Sequence, residues 1–298
     1  MILKQSPPGF RNVSGPLIEA VQAQLNAAGY DAGKTDGVWG SKTVNALKAW
    51  RQANNLSPDA TIDDVVWTNL MGIQVPALPQ RALQLTGAWE GTGYGGANGN
   101  FDGQGITWGV VGFTWGNGEL QSILNEIRTQ YPTVFKTAFG QLAQEMVQVL
   151  GQPLPAQMTW ARSISTNNGE NIDGPWSDAF EALGADPQVQ ALENDHAQHY
   201  WDAGLVFAQD FGLQSENGLA LCFDIAVQNT VAQSTIDEIQ QKTAGVSENG
   251  KMNIIAHVIA DHANPTYYND VLKRKMTFVT GQGSVHGDLY DINCWGIG

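Results

Sequence analysis

Glu90 and Asp102 carry the most readily named chemistry in this sequence. Glu90 closes an apolar stretch of helical spacing (Leu83, Leu85, Ala88, Trp89). Asp102 lies beyond a glycine-rich run, inside Phe101-Asp102-Gly103-Gln104-Gly105-Ile106-Thr107. Two carboxyls on opposite sides of a flexible turn meet the requirement of glycoside hydrolysis: one is protonated to release the leaving oxygen, the other ionised to activate water or attack the sugar. Trp89 offers Glu90 an apolar wall that favours the protonated acid, and a wet Asp-Gly turn leaves Asp102 ionised. The plainer readings are a solvated helix-end carboxylate at Glu90 and a turn former at Asp102, since Asp-Gly is common in turns.

Other chemistries find less support. Gly91-Thr92-Gly93-Tyr94-Gly95-Gly96 satisfies Gly-x-Gly-x-x-Gly, yet it follows a helical pattern and opens no βαβ unit, so a dinucleotide site fails on context. Its glycines are expected to let a substrate chain lie close to the backbone, or the loop close on it. His196 and His199 at i, i+3 and His257 and His262 at i, i+5 match no zinc-hydrolase spacing; no metal or other cofactor is expected. Gly-x-Ser-x-Gly is absent. Cys222 and Cys294 lack metal-site spacing and the flanks of a nucleophile, and read as buried free thiols.

The elements that position these groups come next. A chain of 298 residues that is 42% hydrophobic and 15% charged buries a sizeable core, and its length suggests about two domains. The boundary is expected near Val75-Pro76-Ala77-Leu78-Pro79, giving domains 1–76 and 77–298. Leu17, Val21, Leu25 and then Val44, Leu47, Trp50 recur at helical spacing around a turn-rich Gly29 to Gly40, and a third short helix follows in Asp63 to Leu70. Gly105 to Trp115 is rich in β-formers and glycine and predicts a hairpin or small sheet. Helices are expected from Glu119 and around Thr137–Leu150, Val189–Phe211, Leu219–Thr235 and Met252–Ala263, with a surface loop from Trp160 to Trp176.

Charge is uneven along the chain. Lys4, Arg11, Lys34, Lys42, Lys48 and Arg51 balance Glu19, Asp31, Asp36, Asp59, Asp63 and Asp64 within residues 1–76, so the net charge of −14 resides in the remainder. Such a surface repels nucleic acid and anionic lipid, and neither is expected as a partner. No apolar run reaches the ~18 residues of a membrane span, and Met1-Ile2-Leu3-Lys4-Gln5-Ser6-Pro7-Pro8 lacks the apolar stretch of a secretory signal.

Val21-Gln22, Asp36-Gly37-Val38-Trp39-Gly40, Ala46-Leu47 and Trp50-Arg51 closely resemble the peptidoglycan-binding domain of bacterial and phage cell-wall enzymes. The resemblance implies a three-helix bundle that docks wall glycan or stem peptide beside the Asp-Gly turn. Tyr30, Asp36 and Trp39 are the candidate contacts, and Arg51 is available for a carboxylate. Trp39 and Trp50 also fit simple core roles in a bundle of this size.

The block from Glu90 to Trp115 resembles the catalytic entrance of family 46 glycoside hydrolases, the chitosanases, within the lysozyme-like superfamily. Asp102, Gly103, Gly105, Thr107, Gly112 and Phe113 fall on the family pattern, and Gln104 stands where those enzymes often carry arginine. The resemblance implies Glu90 as general acid, Asp102 as the base that activates water, and Thr107 as a hydroxyl that helps hold it. Gln104, Trp108 and Trp115 become candidates for the cleft. Phe223 to Asn229 and the stretch from Arg274 to Gly287 resemble the C-terminal lobe of phage endolysins of this catalytic type. Asn229 and Arg274 are therefore candidate substrate contacts, with Asp224 pairing with a cation as the structural alternative.

The expected fold class is mainly α: a three-helix N-terminal bundle plus a two-lobed, lysozyme-like α+β domain with a small sheet. The expected partner is bacterial peptidoglycan or a chitosan-like glycan, met by a monomer made in the host cytoplasm and released to the wall through a holin or another route. The function these resemblances imply is that of a modular, endolysin-like peptidoglycan hydrolase cleaving β-1,4 glycan bonds by two-carboxylate acid/base catalysis; a chitosanase with a wall-binding module, a lytic transglycosylase and a non-catalytic wall-binding protein are the alternatives.

Overall fold

The computed structural model describes residues 3–90 and 93–298. The expectations for Gly91 and Thr92 in the glycine-rich run, and for Met1 and Ile2, lie outside the described residues. The chain divides into two compact units, residues 1–89 with 200–298 and residues 90–199. The fold is mainly α with small antiparallel sheets, and no described helix is long and apolar enough to cross a membrane.

The first unit opens with β1 (Leu3–Lys4) and α1 (Pro16–Ala27), followed by α2 (Ser41–Ala53), β2 (Thr61–Ile62) and α3 (Asp64–Met71). Pro16 starts α1 where a missing N–H costs nothing, and Ile18, Val21, Gln22 and Leu25 form its buried face. The Asp63 side chain caps α3 by accepting the Val66 N–H at 2.8 Å. Leu3 pairs with Ile62 and Lys4 with Thr61. Pro76 and Pro79 mark the start of α4 (Leu78–Glu90). Its buried face includes polar groups with partners inside this unit. Arg81 pairs with Glu216 at 2.8 and 3.0 Å, Gln84 accepts the Leu17 N–H at 2.8 Å, and Thr86 donates to Asp224 at 3.1 Å.

The second unit begins with a three-stranded antiparallel sheet, β3 (Ala97–Asn98), β4 (Thr107–Trp108) and β5 (Phe113–Thr114), in that order. Then come α5 (Glu119–Gln130), α6 (Pro132–Phe139), α7 (Ala143–Leu150) and α8 (Leu154–Ile164). The helix expected over Thr137–Leu150 is interrupted by a 3-10 turn at Gly140–Leu142, where Gly140 has φ +51°. The loop expected from Trp160 to Trp176 is corrected by the structure. Trp160 lies on α8, and a hairpin of β6 (Ser165–Thr166) and β7 (Asn171–Ile172) follows. Buried Trp176 belongs to α9 (Gly174–Gly184). The cluster of Asn167, Asn168 and Gly169, all at positive φ, is the turn of that hairpin. The long α10 (Pro187–Phe211) follows, with the division between units falling at His199/Tyr200.

The chain completes the first unit with α11 (Glu216–Gln228), α12 (Gln233–Thr243), α13 (Glu248–His262), α14 (Tyr268–Thr280) and a hairpin of β8 (Gln282–Val285) and β9 (Asp288–Asp291). The helix expected over Leu219–Thr235 breaks at Asn229, whose backbone is extended. Cys222 and Cys294 are free and buried as expected, and burial pushes the Cys294 thiol up to about 11.

Residues before Pro76 share one core with the C-terminal elements of the same unit. Leu3, Val13, Trp39 and Trp67 belong to the buried cluster that includes Trp89, Phe278 and Trp295. The Arg11 N–H donates to Leu289 O at 2.6 Å, and Arg11 pairs with Asp288 at 2.9 Å. At its centre Asp224, fully buried, accepts from Arg274 Nη2 at 2.8 Å and Lys275 Nζ at 2.5 Å. Arg274 also lies over the Trp89 ring at 5.3 Å. Burial opposes ionisation of Asp224, but the charges and hydrogen bonds of Arg274 and Lys275 outweigh it and hold its carboxyl below the ordinary range.

Two outcomes follow for stability. Residues 77–298 expressed alone are expected to lose the cooperative melt of the full chain and bind a hydrophobic dye; a truncated protein melting within a few degrees of the full chain would contradict the shared core. Asp224→Ala is expected to cost about 3–5 kcal/mol at pH 7, because two buried cations lose their partner. Since the folded state depresses the Asp224 pKa, its contribution is present above the unfolded value of about 3.9 and is lost as pH falls through the folded value. The gap between wild type and variant, measured by denaturant unfolding, should therefore narrow at acid pH; a gap independent of pH would contradict the ion-pair account.

Candidate active site

Glu90 ends α4 and is half-buried. Its Oε2 lies 3.9 Å from the point a Cβ on Gly112 would occupy, and Thr107 Cγ2 lies 3.1 Å from the same point. Gly112 has φ +69° and donates to Gly109 O at 3.0 Å, closing the turn between β4 and β5. Any side chain at position 112 would be strained and would enter the space between the carboxylate and Thr107. Thr107 is held from both sides, opposite Asn98 on β3 and Thr114 on β5. Trp89 is not the wall of Glu90. Its ring packs edge-on against Phe278 and Tyr290 at 5.1 and 5.8 Å, because adjacent helical residues point in different directions.

Asp102 is exposed on the connection from β3 to β4. Its Oδ1 accepts the Gln104 N–H at 2.9 Å, an Asx turn. The base of this loop is fixed: Gly105 N–H donates to Asn100 Oδ1 at 2.7 Å, Asn100 N–H to Ser165 Oγ at 3.0 Å, and Gly116 N–H to Gln104 O at 2.7 Å. Gly99 approaches the β6–β7 hairpin so closely that a Cβ would sit 2.4 Å from Asn171 O and 2.6 Å from Gly169 O. Gln104 is exposed beside Asp102. Trp108 and Trp115 are fully buried. Their indole N–H groups donate to Phe180 O at 3.2 Å and Gln157 Oε1 at 2.9 Å, so they pack the sheet and are not stacking platforms.

Glu193 on α10 was not anticipated. It is fully buried, and its Oε2 accepts the Val110 N–H at 2.8 Å beneath the β4–β5 turn. Burial pushes its carboxyl well above the ordinary range, against the opposing hydrogen bond from Val110. A signal existed: Val189, Glu193 and Ala197 recur at i, i+4 on a buried helical face, so a glutamate occupies an apolar position.

In the N-terminal module, buried Gln22 shapes the Asp36 turn. Its Nε2 lies 3.0 Å from Asp36 Oδ1, Val38 O and Thr43 Oγ1, and its Oε1 accepts the Gly37 N–H at 2.9 Å. The hydrogen bond from Val38 holds the Asp36 carboxyl below the ordinary range. Asp36 is exposed and Tyr30 half-exposed. Two expectations for this module are corrected by burial. Trp39, 1% exposed, is core. Arg51, 5% exposed, donates to Ser57 O, Thr61 O and Asp59 Oδ2 at 2.6, 2.9 and 3.1 Å, so it is not available for a ligand carboxylate.

Arg274 is likewise corrected: at 1% exposure it belongs to the Asp224 ion pair, the structural alternative, and does not reach a substrate. Asn229 lines a cavity of 390 Å³ with Gln228, His262, Tyr267 and Asp270.

Comparison with known proteins bears on the N-terminal module and on the fold. Residues 14–70 match the family model of a peptidoglycan binding domain. A mutant chitosanase from Bacillus subtilis MY002, complexed with 6 GlcN, is 17% identical; the match covers 72% of this chain and 98% of that one at a TM-score of 0.50. The GH46 chitosanase of Gynuella sunshinyii, complexed with chitotetraose, is 16% identical over 73% of this chain and 98% of that one, with a TM-score of 0.49. The chain thus joins a peptidoglycan-binding module to the mainly α fold of the chitosanases.

Proposed function

We propose that this protein is a cell-wall glycan hydrolase that cleaves β-1,4 bonds of peptidoglycan. Glu90 is the general acid, Asp102 activates water, Thr107 helps hold that water, and Gln104 contacts the sugar. The observation that carries this reading is that Glu90 Oε2 and the Thr107 methyl both border the open space over the bare Gly112, with Asp102 exposed on the loop that enters Thr107's own strand. A carboxyl at a helix end and a second on an exposed loop supply the pair of groups that acid and base catalysis of glycoside cleavage needs. The peptidoglycan-binding module and the fold shared with a chitosanase complexed with 6 GlcN support a glycan as the substrate. Tyr30 and Asp36 are the module's surface contacts. Holding the enzyme on the wall raises the effective concentration of substrate without altering the site. Endolysin-like release from a bacterial host, and action as a monomer, complete the proposal.

A second reading is a chitosanase carrying the same module. The net charge of −14 favours it, because chitosan is cationic whereas peptidoglycan bears stem carboxylates.

Glu90→Gln and Asp102→Asn are each expected to lower the rate of peptidoglycan cleavage by about 10²–10⁴-fold while the variants remain folded by circular dichroism. Faster reducing-sugar release from chitosan than from peptidoglycan would favour the second reading. Anhydro-muramyl products with Asp102→Asn still active would replace hydrolysis by lytic transglycosylation. A wild type that pellets with walls but never clears them would reduce the protein to a binder. Tyr30→Ala is expected to weaken co-sedimentation with walls and leave cleavage of soluble glycan unchanged; equal loss of both would contradict the division of labour.

A further inference from the structure

We infer that Glu193 is a positioning residue for the site over Gly112: by accepting the Val110 N–H from beneath, it fixes the β4–β5 turn so that Glu90 and Thr107 keep their shared space. This rests on the role proposed above for Glu90.

The floor of the turn is built for that carboxyl. Gly109 has φ +88°, and a Cβ on it would lie 2.5 Å from Glu193 Oε2 and 3.0 Å from the Phe113 ring, so a bare residue lets the carboxyl reach the backbone. Val110 is 2% exposed, and its N–H has to find a partner inside the protein. The turn is only four residues long and is closed by the hydrogen bond from Gly112 to Gly109 at 3.0 Å, so a displacement at Val110 is passed to Gly112. Its flanks cannot absorb the shift, since Trp108 and Phe113 are cross-strand partners, both fully buried.

The helix beneath is anchored independently of Glu193. Val189 is fully buried, Asn194 accepts from Tyr94 Oη at 2.8 Å, and His196 meets Glu126 at 2.8 Å. A carboxyl on that face is a poor choice for stability, because burying a polar group costs free energy that an apolar side chain would not. What the carboxyl adds is a fixed point for the backbone beside the reacting groups. Displacements of about 1 Å in such geometry cost up to about 10²-fold in rate.

Glu193→Leu keeps comparable bulk and removes the acceptor, whereas Glu193→Gln keeps an amide oxygen that can take the Val110 N–H. Two readouts are combined: hydrogen exchange at the Val110 amide, and kcat and KM on soluble glycan for protein verified as folded. Glu193→Leu is expected to unprotect Val110 and to lower kcat by about 10–10²-fold with KM within about twofold. Glu193→Gln is expected to restore both Val110 protection and most of kcat. Full kcat in folded Glu193→Leu, with cleavage still abolished by Glu90→Gln, would overturn this inference alone, as would a Glu193→Gln protein that protects Val110 yet is as slow as the leucine variant. Absence of cleavage by the wild type would overturn the reading of the site and this inference with it.

Discussion

The buried carboxylate of Asp224 is the interaction on which the first unit is built. One side chain without solvent contact joins three helices: Thr86 donates to it from α4, Arg274 and Lys275 bind it from α14, and it stands on α11. Arg274 then extends across the Trp89 ring. An ion pair this deep repays its desolvation only when its lone pairs are filled by good geometry, which Arg274 supplies from both Nε and Nη2. It thereby holds α4 at Thr86 directly and at Trp89 through Arg274. Removing one partner leaves charge in the core of this unit.

The second unit fixes its groups by a different device, close backbone approach. Gly99 and Gly169 let the Asp102 loop and the β6–β7 hairpin meet at distances no side chain would permit. Gly109 admits Glu193, and Gly112 leaves room for Glu90 and Thr107. The small sheet is too short to be rigid by hydrogen bonding alone; the buried rings of Trp108, Phe113 and Trp115 stiffen it from below. Asp102 therefore stays exposed on a loop whose base is fixed, which combines solvation of the carboxylate with a defined position.

Much of this was legible in the sequence where the signal is local. The periodicity of Leu17, Val21 and Leu25 gave α1 (Pro16–Ala27), and the Asp-Gly-x-Gly-x-Thr block placed Asp102 on a loop and Thr107 on a strand. Long-range pairing was not legible. Arg51 reads as a free cation until the chain folds Ser57, Asp59 and Thr61 around it, and Arg274 finds Asp224 fifty residues away. Asn167, Asn168 and Gly169 look like loop residues because the same types that break helices also form tight hairpins. Pro76 and Pro79 stand at the start of α4, after the module matched over residues 14–70, while the division between compact units, which depends on long-range contacts, falls at Trp89/Glu90 and His199/Tyr200. Glu193 was passed over because a charged residue inside an apolar stripe reads as an imperfection of the pattern.

The most direct test of a cell-wall glycan hydrolase is mass spectrometry of the soluble products released from purified peptidoglycan by the wild-type protein, before and after borohydride reduction. The account predicts muropeptides with a free reducing end that gain two hydrogens on reduction, identifying the glycan bond cut. Peptidoglycan that yields no soluble muropeptide, while chitosan is cleaved or neither polymer is, would contradict it.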